Sequence, residues 1–282
     1  IEIVDPSPDE KILDPACGSG GFLIEAMRFI WEKVEQEGKK LNWPDHEIEI
    51  EKQKVAIKNL RGVDKDYFLS KVAKAYMALL GDGRGGVFCE NSLDSPKNWN
   101  KKTQIEIKLE SFDVIVTNPP FGAKLPVTGD EIIKQFEFGY KWKFNKKENQ
   151  WEKGKIKDKE APQILFIERC LQLLSPGGRL GIVLPDGILG NDKLGYIRNH
   201  IIKQAKILAV VDVPIETFMP HTSTKTSIIV MQKYFDDEEP KDDYEIFMAI
   251  AETCGHNRRG DLLLEDDIAQ ISSLYKEWKN GK

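Results

Sequence analysis

Residues 11 to 37 place the tightest limit on what this chain can fold into. Lys11-Ile-Leu-Asp-Pro is a short apolar run closed by an acid, and Ala16-Cys-Gly-Ser-Gly-Gly follows it as a turn. Phe22, Leu23, Ala26, Phe29, Ile30 and Val34 then recur at helical spacing. Strand, glycine turn and helix in that order form the opening unit of a parallel sheet covered by helices. Glycines at such a turn admit a closely approaching ligand that a β-carbon would obstruct.

The same alternation continues down the chain. Residues 60–64 predict a second strand, 67–80 a helix, and 86–90 a third strand. Phe112-Asp-Val-Ile-Val-Thr is the fourth strand, β-branched and therefore expected at the centre of the sheet. A helix over 162–174 is stopped by Ser175-Pro-Gly-Gly, followed by a fifth strand over 180–184 and a helix over 189–204. Residues 207–213 and 227–232 are the last two strands. The connection 214–226 is too short for a crossover helix and its return, so these two should pair antiparallel.

The expected fold is thus α/β, a doubly wound Rossmann-like sheet of seven strands. The expected organisation is a main catalytic domain over 1–235, interrupted by an insertion at 123–160, and an appendage over 236–282. The appendage opens on the acidic Asp236-Asp-Glu-Glu-Pro-Lys-Asp-Asp and offers an extra strand within 244–253 and a helix over 267–278. The first strand starts after only ten residues, which reads as a cut from something longer.

The glycine turn is not a dinucleotide fingerprint, because counting from Gly18 the third glycine of G-x-G-x-x-G would fall on Leu23, and no Walker lysine follows. Asp14 would repel a pyrophosphate, yet it suits the ammonium group of a cationic ligand. S-adenosylmethionine (AdoMet), a sulfonium amino acid without phosphate, fits that chemistry, with Ala16, Gly18 and Gly20 of the turn beside it. Asp64, closing Arg61-Gly-Val-Asp, is the acid expected to take both ribose hydroxyls. Its separation from the turn exceeds the usual spacing of about 20 residues, so the intervening helix is expected to be extended by an insertion. The competing reading of the whole stretch is a structural turn in which Asp14 only caps.

Thr117-Asn-Pro-Pro-Phe-Gly122 follows the fourth strand. Its two prolines fix an extended turn without backbone donors of their own, leaving the Asn118 side-chain oxygen and the Pro119 carbonyl as acceptors. An exocyclic aromatic amine is a poor nucleophile because its lone pair is delocalised into the ring. Two acceptors on its hydrogens draw the nitrogen toward a tetrahedral, nucleophilic geometry. Phe121, beyond Pro120, offers a flat face to a base taken out of a duplex. The first and fourth strands flank the switch in strand order, so their carboxyl-end loops should share one crevice.

Asp14 to Phe22 and Asn118-Pro119-Pro120-Phe121 resemble the AdoMet motif and the catalytic N-P-P-[FY] motif of amino-methylating DNA methyltransferases. Gln163 to Leu174, Gly178 to Gly187 and Phe247 to Glu252 are similar to the modification (HsdM) subunits of type I restriction-modification systems. That resemblance implies the strand order 3-2-1-4-5-7-6 of class I AdoMet-dependent methyltransferases and adenine-N6 methylation of double-stranded DNA. It implies Asn118, Pro119, Pro120 and Phe121 as catalytic residues, and Asp14, Ala16, Gly18, Gly20 and Asp64 as cofactor-binding ones. A third motif, Glu90-Asn-Ser-Leu93, would seat the cofactor adenine through Asn91 and Ser92, with Asn91 standing where the family commonly has Asp. The implied partners are a specificity subunit, which chooses the DNA site, and a restriction subunit. The segment that usually precedes the first strand and helps close the AdoMet site is missing, so weaker cofactor binding than in a longer parent is expected.

The formal charge of −5 argues against a chain that holds nucleic acid unaided, since lysine and arginine on phosphate dominate that affinity. A partner should therefore supply much of the grip, in keeping with the lack of a recognisable DNA-reading module. Residues 139–160 are the exception, with eight lysines against four acids among Tyr140, Trp142, Phe144 and Trp151. They are either a flap over the target strand or a solvated insertion with its aromatics tucked onto the domain. Phe218 is either a second aromatic near the extruded base or a core residue, and His221 reads as surface.

Cys17, Cys89, Cys170 and Cys254 are scattered without a C-x-x-C pair and read as free thiols, with no metal and no disulfide. No apolar run is long enough for a bilayer, and Ile1 to Glu10 carries acids where a signal peptide would be basic, so the expected location is cytoplasmic, with no membrane partner. Two other functions remain open. One is a methyltransferase of this fold acting on cytosine N4, RNA guanine N2 or protein glutamine, and Asn rather than Ser at position 118 counts against cytosine. The other is an assembly subunit without catalysis, against which the presence of Asp14, Asn118 and Phe121 counts.

Overall fold

The structure is a computed structural model that describes residues 1–81, 86–122, 125–219, 222–240 and 243–281. Strand β1 (Ile12–Asp14) runs through the glycine turn into helix α1 (Gly21–Lys40), followed by α2 (Asp45–Asn59), β2 (Leu60–Asp64), α3 (Tyr67–Leu80) and β3 (Val87–Cys89). A short helix α4 (Lys101–Glu106) leads to β4 (Phe112–Thr117). The insertion then builds β5 (Val127–Thr128), α5 (Asp130–Ile133), β6 (Tyr140–Asn145), β7 (Gln150–Ile156) and β8 (Lys159–Glu160). The main fold resumes with α6 (Pro162–Leu173), β9 (Leu174–Pro185), α7 (Gly187–Gly190), α8 (Gly195–Gln204), β10 (Ala205–Val213), β11 (Thr226–Lys233), β12 (Phe247–Ile250) and α9 (Asp267–Asn280).

The central sheet has the order β12-β10-β11-β9-β4-β1-β2-β3. β11 is antiparallel to both neighbours, β9 and β10, as the short connection requires. The remaining pairs are parallel. Ile12, Leu13, Val114 and Ile115 at the centre are fully buried, which explains why β1 and β4 read as continuous apolar runs. α1 covers one face with Leu23, Ala26, Met27, Ile30 and Val34, and α6 lies on the other with nearly its whole surface buried.

The structure departs from the sequence reading in four places. The sheet has eight strands rather than seven, because the extra strand expected within 244–253 forms as Phe247–Ile250, joins the main sheet against Ala209–Asp212 and covers what would be the open edge of β10. The extra length between Asp14 and Asp64 does not extend α1. It forms the separate helix α2, since the chain turns through Asn42 in the left-handed region and Pro44 cannot continue a helix. The fifth strand starts at Leu174 rather than 180, because Pro176 keeps residue 175 out of the helical region and 175–179 join the strand through an irregularity against β4, with Gly177 at a φ of +77°. The helix expected over 189–204 is broken at Asn191, which is extended and whose side chain accepts from the Lys193 N–H at 2.9 Å, a local bond that competes with the helix.

Candidate active site

The strand order reverses between β1 and β4, and the loops that leave their carboxyl ends meet there. Asp14 closes β1 and is 1% exposed. Its Oδ1 accepts from the Thr117 hydroxyl at 2.8 Å and from the Ala16 N–H at 3.0 Å. One buried carboxylate oxygen thus joins the glycine turn to the residue before Asn118. Burial pushes the Asp14 carboxyl up to about 7, against the lowering effect of those two hydrogen bonds, and the nearby charge of Asp64 adds to the rise.

Asp64, at the end of β2, holds the turn from the other side. Its Oδ2 accepts from the Gly18 N–H at 2.8 Å and its Oδ1 from the Asp66 N–H at 2.8 Å. Gly18 has a φ of +52°, and a β-carbon there would meet nothing within 4 Å. Gly20, with a φ of +92°, begins α1, and a β-carbon on it would stand 3.2 Å from the Ala73 methyl of α3. The first of these glycines faces open space and the second serves helix packing.

Between the loops lies a cavity of about 580 Å³, within the range of roughly 300–1,000 Å³ usual for small-molecule sites. Ala16, Gly18, Asp64, Asn91, Ser92, Asn118, Pro120 and Phe121 line it, with Leu69, Ile132 and Phe166 as apolar walls. Asp14, Gly20 and Pro119 do not line it. The Asn118 side-chain oxygen is buried and has no hydrogen-bond partner. Buried side-chain atoms of Asn59, Thr217 and Thr226 also lack a partner, but among the described residues Asn118 is the one of these that lines this cavity, so a ligand there would meet an open acceptor.

Asn91 and Ser92 line the cavity with their polar atoms already engaged. The Asn91 amide donates to Asp94 at 3.0 Å and accepts from the Leu93 N–H at 3.2 Å, and the Ser92 hydroxyl donates to the Pro15 carbonyl at 2.6 Å. Their bonds brace the loop after β3 and tie it to the glycine turn.

Two residues passed over in the sequence support this arrangement. Gln163, on α6, accepts from the Gly122 N–H at 3.3 Å and steadies the loop beyond Phe121. Arg169, also on α6, is 1% exposed. Its guanidinium donates to the Leu93 and Asp94 carbonyls at 3.4 and 3.3 Å and to Gln135 at 3.2 Å, and lies 4.8 Å from the Phe136 ring centre. Burial lowers it to about 10, so it stays charged at neutral pH. Arg169→Met would strand these acceptors, and the expected cost is about 1–3 kcal/mol. It should register as a lower urea midpoint with an unchanged slope, and an unchanged midpoint would show that the bonds contribute nothing.

The insertion pins its two tryptophans, while Phe144 stays exposed. Trp142 stacks on Tyr196 of α8 at 6.0 Å and 10°, Trp151 meets the same ring edge-on at 5.8 Å, and Phe144 leans on Trp151. Phe218 is partly buried, packs against the cluster of Val211, Val213, Ala251 and Ile271, and does not line the cavity. His221 lies outside the described residues. Among the described residues no cluster of His, Cys, Asp and Glu could hold a metal, the four cysteines are free, and no helix is long and apolar enough to cross a membrane.

Comparison with known proteins agrees with this architecture. A sequence profile of the N-6 DNA methylase family matches residues 1–282. The methylase subunit of the type I restriction enzyme EcoEI from Escherichia coli is 28% identical over 236 residues, which cover 83% of this chain and 40% of that protein. The methylase subunit of the type I restriction enzyme MjaVII from Methanocaldococcus jannaschii is 25% identical over 285 residues, covering 99% of this chain and 42% of that protein. The crystal structure of the M protein of the type I restriction enzyme EcoKI, from Escherichia coli, superposes with a TM-score of 0.63 at 20% identity, over 97% of this chain and 51% of that one. The chain therefore spans about two fifths of the length of the curated relatives it matches. With the profile matched from end to end, on a doubly wound sheet whose two switch-point loops enclose one cavity, the chain belongs to the N-6 DNA methylase family.

Proposed function

We propose that this chain is the catalytic part of an AdoMet-dependent DNA methyltransferase that modifies N6 of adenine. In this reading it works in the cytoplasm within the modification subunit of a type I restriction-modification assembly, with a specificity subunit, a restriction subunit and double-stranded DNA as partners. One observation carries the proposal: the Asn118 oxygen is buried without a donor on the wall of the cavity that Gly18 and Asp64 also line. The relatives that are named type I methylase subunits support it.

The residues divide the work by their chemistry. Asp64 and the backbone around Gly18 would hold AdoMet, which supplies an electrophilic methyl group when bound. Asp14, buried and not lining the cavity, sets the turn and offers a negative charge to a cationic donor. Asn118 accepts a hydrogen of the adenine amine and Phe121 stacks on the extruded base, while Pro119, which does not line the cavity, fixes the turn between them. Asn91 and Ser92 shape the wall beside the cofactor adenine.

The test is methyl transfer from labelled AdoMet by the full-length protein with its specificity subunit, followed by digestion of the DNA to nucleosides. Label in N6-methyladenine is the expected result. Label in N4-methylcytosine, in RNA or in protein would move the activity to another planar nitrogen, and no transfer to any of them would leave an assembly subunit.

A further inference from the structure

We propose that the β6–β7 hairpin is a grip for the phosphate backbone of double-stranded DNA, made by the lysines on the side of the ribbon that turns away from α8. This rests on the DNA methyltransferase reading above and adds to it where the substrate is held.

The insertion is anchored at the cavity. Val127 and Thr128 line the cavity, and they pair with Glu160 and Lys159, so the segment that carries the hairpin leaves from and returns to its wall. Any duplex that delivers a base into that cavity must pass close to this segment. The hairpin is also held in shape. Trp142 and Trp151 rest on Tyr196, and Lys157 is bonded to the Tyr196 hydroxyl, the Phe138 carbonyl and Glu160.

Alternate residues of a strand face opposite sides; Trp142 rests on Tyr196 and Phe144 is paired with Trp151 on that same side, so Lys143 falls on the other, as does Lys141 at the register shift beside Trp142. Both lysines are exposed, as are Lys146 and Lys147 at the turn. Lys153 and Lys157 are paired with Glu137 and Glu160, but Lys141, Lys143, Lys146 and Lys147 form no ion pair among the described residues. Glu152 stands opposite Lys143 and Glu148 lies at the turn; their carboxylates accept from Asn145 and Gln150 and form no ion pair with these lysines, and the four lysines outnumber the two acids.

A chain of net charge −5 thus concentrates unpaired positive charge on one rigid ribbon beside the cavity. Phosphate is the complement that position favours, and lysine bonds to phosphate carry no sequence choice. The division agrees with a site chosen by another subunit.

The test replaces Lys141, Lys143, Lys146 and Lys147 together by glutamine in the full-length protein, assembled with its specificity subunit. Equilibrium binding of duplex DNA is measured across salt concentrations. The expected result is DNA affinity lower by roughly 10-fold or more, and a log–log salt slope shallower by about one for each phosphate that is no longer neutralised. The fall should be equal for cognate and unrelated duplexes, AdoMet affinity should be unchanged, and the matching four-arginine variant should restore binding. An unchanged slope and affinity would overturn the proposal. So would a variant that fails to join the specificity subunit, since the ribbon would then face an acidic protein surface. Failure of the wild type to methylate DNA would count against the functional reading instead, because the salt slope is read from binding alone.

Discussion

Asn118→Ala is expected to lower methyl transfer to DNA by about 10²- to 10³-fold, the usual cost of removing one preorganised polar group aimed at the reacting centre. The protein should remain folded. The Asn118 oxygen is buried without a hydrogen-bond partner, so its removal breaks no bond in the free protein. Leaving a buried polar atom unsatisfied costs about 1–3 kcal/mol, and alanine relieves part of that cost. The signature is a large fall in single-turnover rate with an equal or higher melting midpoint and near-normal AdoMet affinity. Loss of rate together with loss of stability would show that Asn118 holds the loop rather than the amine.

Asp14→Asn should act with opposite signs on stability and on cofactor binding. The Asp14 carboxyl is raised from 3.8 to about 7 by burial, so the folded state binds its proton more tightly than the unfolded chain does. The resulting stability is fully present below about pH 4, declines as the pH rises, and is lost above about pH 7. Asparagine cannot ionise and keeps an acceptor for the Ala16 N–H. The variant should therefore match the wild type near pH 4 and exceed it by on the order of a few kcal/mol at pH 8 in urea titrations. AdoMet affinity should move the other way. The positive donor favours the carboxylate, so wild-type affinity rises through pH 7 with release of a proton, while the variant binds more weakly and without that rise. Parallel pH profiles for the two proteins would rule out Asp14 as the group responsible.

The site was legible where its chemistry demands rare residue types. Gly18 has a left-handed backbone and open space where a β-carbon would be. The prolines after Asn118 exclude other turns, and the switch between β1 and β4 brings both loops together as the alternation of elements required. What the sequence concealed depends on tertiary contacts. Asp14 reads as a ligand for a cation, and nothing in the sequence signals that its Oδ1 already accepts from the Thr117 hydroxyl and the Ala16 N–H. Asn91 and Ser92 looked free to bind because their partners, Asp94, Leu93 and Pro15, are set only by the folded loop.

Arg169 was hidden for the same reason. A charged residue within a helical pattern reads as solvent-facing, yet the insertion packs over that side of α6 and turns it into the buried tie between the 91–94 loop and Gln135. The tryptophans of the hairpin carry no mark in the sequence of the Tyr196 ring that holds them, because that ring comes from α8, beyond the insertion. The break at Asn191 depends on a single side-chain bond and leaves no periodic trace, whereas the extra strand offered within 244–253 forms and pairs with β10.

The most direct test is a crystal structure of the protein with a non-reactive AdoMet analogue. The analogue should occupy the cavity between Asp64 and Asn118, beside Gly18 and Phe121, with the side-chain oxygen of Asn118 still free for the acceptor base. An analogue found elsewhere, for instance in the apolar groove between Ile3 and Ile271, would contradict the account, as would one that takes the Asn118 oxygen for itself.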